Sequence, residues 1–211
     1  MSIETAGILP DAIHEQLRSR ILEQVDAPGT TVTESAVAVR FGVARPTARI
    51  AIDRLVAEGL LRREPHRAAR VPQLSRDDIV DLFDNRALVE SAAIASLARG
   101  GTIPAEALAA HRALASGEQF AAHDIAFHRA LVAGQPSPRL ASMHATLMGE
   151  IELCIGQVQA AQLLTASEVA RQHQGILDAI TSGDAEIAAS LTRSHIEGAR
   201  DRLLAHVDTK D

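Results

Sequence analysis

Four residues in the second half of the chain carry metal-ligating groups at positions where the local pattern demands apolar side chains: Asp124, His128, His173 and His195. Asp124 and His128 are four apart, one helical turn, on a face that also carries Phe120 and Leu131. His173 falls inside the stripe of Val169, Ile176, Leu177 and Ile180, and His195 continues the four-residue spacing of Ile187 and Leu191. Burying several ionisable groups is costly unless they are paired or bound to a metal. Neutral imidazoles and one carboxylate suit a borderline divalent cation, Zn or Ni foremost, with Mn, Fe and Co in the same range. The bland alternative is a set of hydrogen-bonded core histidines. The remaining histidines read as surface or edge residues (His14, His111, His123, His144, His206) or as part of a wing (His66).

A second chemical signal is basic. Between Arg40 and Arg70 eight arginines stand against Asp53, Glu58 and Glu64, a surplus of five positive charges. Because the whole chain carries −6, everything outside this segment carries −11. Positive potential is therefore concentrated in one stretch, which is what phosphate binding needs. Arg45 and Arg49, four apart, share a helix face and can enter a groove together.

The elements that must hold these groups follow from punctuation and period. Residues 1–9 read as loose, and a first helix spans about Pro10 to Val25 with Ile13, Leu17, Ile21 and Leu22 at helical spacing. Asp26 to Thr31 forms a turn. From Thr33 to Val71 the chain predicts a helix, a tight turn at Phe41-Gly42-Val43, a second helix starting near Ala44 or Arg45, and a small β-wing. Pro46 is tolerated in a first helical turn, where its missing N–H has no partner to lose. Ile50, Ile52, Leu55 and Val56 supply the apolar side, and Gly59 ends the helix. Arg62, Arg63, Arg67 and Arg70 then belong to a hairpin with a basic tip. This is a winged helix-turn-helix, whose geometry delivers a reading helix to DNA.

Proline at position 72 marks a linker over 72–76, leaving a DNA-binding domain over 10–71 and an all-helical domain over 77–207. Ser75 with Asp78, Ser137 before Pro138, Thr165 with Glu168, and Asp184 read as helix caps. They predict helices over about Arg76–Arg99, Pro104–Ser116, Glu118–Ala133, Pro138–Gln159, Thr165–Ser182 and Asp184–His206. The first of these offers Ile79, Leu82, Phe83, Leu88, Val89 and Ile94 to the core. Six helices with short connections make an antiparallel bundle, so the fold class is mostly α with one small β-wing. A composition of 46% hydrophobic but only 2% aromatic residues means that Ala, Leu, Ile and Val do the packing. No window of 18 uncharged apolar residues occurs and the N-terminus lacks a basic-then-apolar signal segment, so a cytoplasmic protein is expected. The single Cys154, in an apolar run, reads as a small core residue.

The first domain resembles the GntR family of bacterial transcription regulators through Phe41-Gly42-Val43, Arg45, Arg49, Leu55, Glu58-Gly59-Leu60 and Val71. The resemblance implies DNA contacts from Arg40, Arg45, Thr47 and Arg49, and from His66 and Arg67 in the wing, with guanine the natural partner of arginine's fork. Three departures stand out: Ala44 replaces a serine cap, Pro46-Thr47 reverses the usual order, and His66 and Ala68 replace wing glycines. The second domain is similar to the FCD effector domain through Asp124-Ile125-Ala126-Phe127-His128-Arg129-Ala130-Leu131, the run His173 to Ile180, and His195. That resemblance implies a divalent metal on the quartet, a small carboxylate effector, and an effector contact from Arg86, which on its own could equally pair with Glu90 on the surface. The implied function is a homodimeric, ligand-responsive repressor on a pseudo-palindromic operator. A metal-sensing regulator and a metal-dependent enzyme fused to a DNA-binding domain are the alternatives.

Overall fold

A computed structural model of the chain describes residues 4–114 and 120–209. The expected helix ends near Ser116 and Glu118 lie outside the described residues. The chain divides into two compact units, Met1–Leu74 and Ser75–Asp211.

The first unit runs α1 (Glu4–Leu22), β1 (Thr31–Val32), α2 (Glu34–Phe41), α3 (Arg45–Ala57) and β2 (Ala69–Arg70). Helix α1 starts at Glu4 rather than at Pro10, so the proline lies inside it and forfeits one backbone bond. Burial of Ile13, Leu17 and Ile21 against α3 offsets that loss. The helix closes three residues before Val25, because Gln24 takes a left-handed φ of 60°. Thr33 caps α2 by accepting from Ala36 N at 3.1 Å, worth about 1 kcal/mol. Gly42, at φ 65°, lets Val43 N bond back to Ala38 O and turns the chain into α3. Ala48, Ala51, Ile52 and Leu55 form the buried face of α3 at spacings of three and four. Ile50, expected inside, lies off that stripe and is 51% exposed. Gly59, at φ 80°, follows the last turn.

The wing closes through a pair of backbone bonds between Arg62 and Arg70, at 2.8 and 2.9 Å. Its tip is a turn from Glu64 to Arg67, with Arg67 N bonded to Glu64 O at 3.1 Å. Pro65 at the second position and a positive φ of 63° at the third, His66, give it the pattern of a type II turn. Glycine would fill the third position freely, and histidine there costs about 1 kcal/mol. β2 pairs antiparallel with β1, Thr31 opposite Arg70 and Val32 opposite Ala69.

The second unit consists of α4 (Arg76–Gly100), α5 (Ala105–Leu114), α6 (Phe120–Gly134), α7 (Pro138–Ala160), α8 (Ala166–Thr181) and α9 (Ala185–Asp208). Ser75 and Asp78 form a reciprocal capping box on α4. At α8 only half of the expected box is present: Thr165 accepts from Glu168 N, while the Glu168 carboxylate is taken by Arg202 of α9. Helices α4 and α9 run antiparallel, since Arg76 pairs with Asp208 and Asp84 with Arg200. Around this pair a core of Ile94, Leu97, Phe127, Leu131, Ile176 and Ile180 joins α4, α6 and α8. Leu88 and Ile187, both read as core, are 62% and 51% exposed. Helix α9 instead buries Ala188, Thr192, His195, Ile196 and Ala199, a face of mostly small residues that allows close approach to α4. Among the described residues no helix is long and apolar enough to cross a membrane.

Candidate metal centre and nucleic-acid interface

In the second unit, α6 contributes Asp124 and His128, α8 contributes His173, and α9 contributes His195. The ligand atoms of these four buried residues all lie within 4.8 Å of one another. Asp124 Oδ1 is 3.1 Å from His173 Nε2, 3.6 Å from His195 Nε2 and 3.7 Å from His128 Nε2. Bonds of about 2.0–2.1 Å to a tetrahedral metal would set neighbouring ligand atoms about 3.3 Å apart, so the quartet has the right size.

The arrangement of the imidazoles tests the fit more sharply than the distances do. His128 Nδ1 is 2.6 Å from Glu90 Oε2, and His195 Nδ1 is 2.6 Å from Gln172 Oε1. An acceptor oxygen stands beside each Nδ1, the His128–Glu90 contact being close but off axis, and a proton on each Nδ1 would turn both Nε2 lone pairs inward. Those two Nε2 atoms stand 3.1 Å apart. Two facing lone pairs beside a carboxylate repel unless a cation lies between them. His173 is fixed by stacking on Phe127, with ring centroids 3.9 Å apart and planes within 11°. Neither of its ring nitrogens makes a well-aligned hydrogen bond, and its approach to Asp124 is close but off axis.

Electrostatics favour metal-ready protonation states. Burial pushes the His173 imidazole down to about 3, in spite of Asp124, and lowers His195 likewise. Burial alone would raise the Asp124 carboxyl, but His173, His195 and His128 hold it well below the usual carboxylate range. Neutral imidazoles with an ionised carboxylate are the donor set a divalent cation requires.

A buried ionic group adjoins the quartet. Arg86 and Glu90, one turn apart on α4, are both fully buried, so the pairing read as a surface bridge is an interior one. Arg86 Nε donates to Glu90 Oε1 at 2.9 Å, and His144 of α7 meets the same oxygen at 2.9 Å. Arg86 Nη2 is 4.0 Å from Asp124 Oδ2, and both Nη atoms lack a hydrogen-bond partner among the described residues. Burial opposes the Glu90 charge, yet Arg86, His128 and His144 hold its carboxyl well below the ordinary range.

The sequence reading missed Glu90, Gln172 and His144. His144 and His14, both expected at the surface or an edge, are buried, and His14 meets Glu58 at 2.7 Å. In both cases spacing held the signal: Met148, Ile151 and Ile155 recur helically after His144, and Leu17 and Ile21 after His14. Gln172 carries no such mark. Cys154 is buried, and its thiol is pushed up to about 12 by desolvation, which makes it inert.

Arg40, Arg45, Arg49 and Arg67 of the first unit are exposed instead. Arg45 opens α3 at the surface, with Thr47 half-buried two residues on. Arg49, with a side chain 62% exposed, has only loose contacts to Glu34 at 3.7 Å and Asp53 at 3.6 Å. An open groove of about 430 Å³ between α3 and the wing is lined by Arg49, His66 and Arg67 together with Glu34 and Arg63. Arg40 is not among its lining residues; it sits 3.6 Å from Asp26, a carboxylate already held by two bonds from Arg20.

Comparison with known proteins agrees with this two-part organisation. Residues 9–71 match the bacterial regulatory proteins of the gntR family, and residues 81–198 match the FCD domain. Among solved structures the chain is similar to a GntR transcriptional regulator from Rhodococcus sp. RHA1, with a TM-score of 0.75 and 22% identity over 93% of this chain and 97% of that one. It is also similar to McbR/YncC of E. coli, with a TM-score of 0.72 and 18% identity over 94% and 98% of the two chains. At such identities the likeness speaks for the fold. No curated protein matches the sequence. With the FCD match alone spanning more than half of its residues and the gntR match preceding it, the chain belongs to the GntR family of bacterial transcription regulators, in the branch that carries an FCD domain.

Proposed function

We propose that this regulator is a homodimeric repressor whose second unit holds a divalent metal on Asp124, His128, His173 and His195 and takes a small carboxylate as effector. The observation that supports this reading is the pair of buried Nε2 atoms 3.1 Å apart, each 3.6–3.7 Å from Asp124 Oδ1, a donor set that a divalent cation would bridge. A bound metal of the Zn or Ni type would supply that charge and, with four protein ligands, retain capacity for an oxygen donor. Arg86 supplies the rest of the carboxylate site. Its two Nη atoms are buried without a hydrogen-bond partner among the described residues, a costly condition that a bidentate carboxylate relieves. The near absence of aromatic residues favours a small aliphatic acid over a ring compound.

On the DNA side, Arg45, Thr47 and Arg49 of α3 read the major groove, Arg40 contacts phosphate, and His66 and Arg67 carry the wing to the backbone. One winged helix reads only a few base pairs, so a two-fold pair on a pseudo-palindrome gives the contacts that a specific operator needs. The effector alters operator affinity by its difference in affinity for the two states of the protein, and by no more.

Two experiments in series test this. Selection from random duplex DNA should return a site with two-fold symmetry, and asymmetric sites would count against the homodimer. Zn-loaded protein on that site, titrated with a panel of C2–C6 carboxylates, should release it, and Arg86→Ala should weaken the response at least tenfold. If removing the metal changes operator affinity but no carboxylate does, the protein is a metal sensor.

A further inference from the structure

The Glu90 carboxylate touches both halves of the proposed site. Through Oε2 it meets His128 Nδ1 at 2.6 Å, on the ring edge opposite the ligand nitrogen. Through Oε1 it accepts from Arg86 Nε and meets His144 Nε2, each at 2.9 Å. Three side chains from three helices, α4, α6 and α7, therefore converge on one fully buried carboxylate from α4.

We propose that Glu90 is a positioning residue that couples the metal to the effector arginine, by orienting His128 with one oxygen and Arg86 with the other. The inference rests on the metal-and-carboxylate reading above.

The geometry gives each oxygen a distinct task. The charge of Oε2, close to His128 Nδ1 though off the hydrogen-bond axis, favours the tautomer protonated there, so that Nε2 is presented as a lone pair rather than as a donor. Engaging Arg86 only at Nε leaves both Nη atoms free on the other edge of the guanidinium, which is the fork a carboxylate ligand needs. Arg86 has a second carboxylate within reach, Asp124 Oδ2, 4.0 Å from Nη2. Without Glu90 the guanidinium would turn to Asp124, losing its open edge and drawing a metal ligand aside. His144 braces the shared oxygen from the far side, so a shift of Glu90 moves both half-sites together. A ligand that pulls on Arg86 thus acts on His128 through a single side chain.

The test uses full-length protein with Co(II) as a spectroscopic metal and acetate as the carboxylate probe. Because Glu90→Gln would strand a buried guanidinium and could fail to fold, the main variant is Glu90→Asp. Aspartate keeps the charge beside Arg86, yet is one methylene too short to span His128 and Arg86 at once. The expected result is a 10–100-fold loss of Co(II) affinity, the usual scale for disturbing the partner of a ligating histidine. Altered d–d bands and a parallel weakening of acetate at saturating metal should accompany it. Wild-type metal affinity and spectrum in the variant would overturn the role of Glu90 while leaving the metal site intact. Loss of metal affinity with acetate affinity unchanged would overturn the coupling. If wild-type protein itself binds no Co(II), the underlying metal reading fails, and this inference with it.

Discussion

The two units of this regulator handle charge in opposite ways. In the winged-helix unit the cations are on the surface: Arg45 and Arg49 are exposed, and Arg49 is held only by contacts of 3.6–3.7 Å that solvent screens. In the helical unit Arg86, Glu90, Asp124, His128, His144, His173 and His195 are all buried. The same residue type, arginine, is therefore exposed and loosely tethered in one unit and buried with both Nη atoms lacking a hydrogen bond in the other. Exposed charge gives an interaction tuned by ionic strength and sequence. Buried charge gives one tuned by protonation and by whatever completes the set.

Salt should expose this contrast most strongly. Operator affinity is expected to fall about 10³-fold or more between 50 and 200 mM salt if six or more phosphates are neutralised, whereas Zn affinity, set by buried ligands, should hardly move. Comparable slopes for the two would erase the distinction. Arg49→Ala comes next: loss of a bidentate base contact should weaken operator binding about 10–100-fold per half-site, with the thermal midpoint and metal content unchanged. A variant that bound its operator like wild type would misplace the reading helix.

The smallest effect concerns pH. His173 in the folded, metal-free protein takes a proton only near pH 3, against 6.5 when unfolded. Between those values the unfolded chain binds more protons, so stability is full above about pH 6.5 and declines as pH falls through that window. By pH 5 the loss from His173 alone is on the order of 2 kcal/mol. Calorimetry of metal-free protein at pH 7.5 and pH 5 measures it, and an unchanged transition would contradict the buried neutral imidazole.

How much of this was legible in the sequence depended on the kind of signal. The winged helix shows in local punctuation: Gly42 and Gly59 both take the positive φ that their positions require. Even the wing without its glycines keeps a turn, because Pro65 presets the second position and His66 accepts the left-handed third. The proximity of Asp124, His128 and His173 was legible because ionisable residues interrupt apolar stripes. His195 was reached by the wrong stripe. Ile187 and Leu191 are exposed, and the true buried face runs through Ala188, Thr192 and Ala199, small residues that a search for large aliphatics overlooks. Glu90 was not legible, since an Arg–Glu pair at i, i+4 reads the same on a wet face as on a dry one. Only the tertiary packing of α6, α7 and α9 on α4 makes it a dry one. Gln172 acts through a single cross-helix contact that no spacing announces.

Whether the quartet holds a metal is decided by elemental analysis of protein purified without a metal-affinity tag, beside His173→Ala prepared the same way. About one equivalent of a transition metal is expected in the wild type and little or none in the variant. No metal in either, even after refolding with Zn or Ni, would contradict it and make the quartet a set of core histidines.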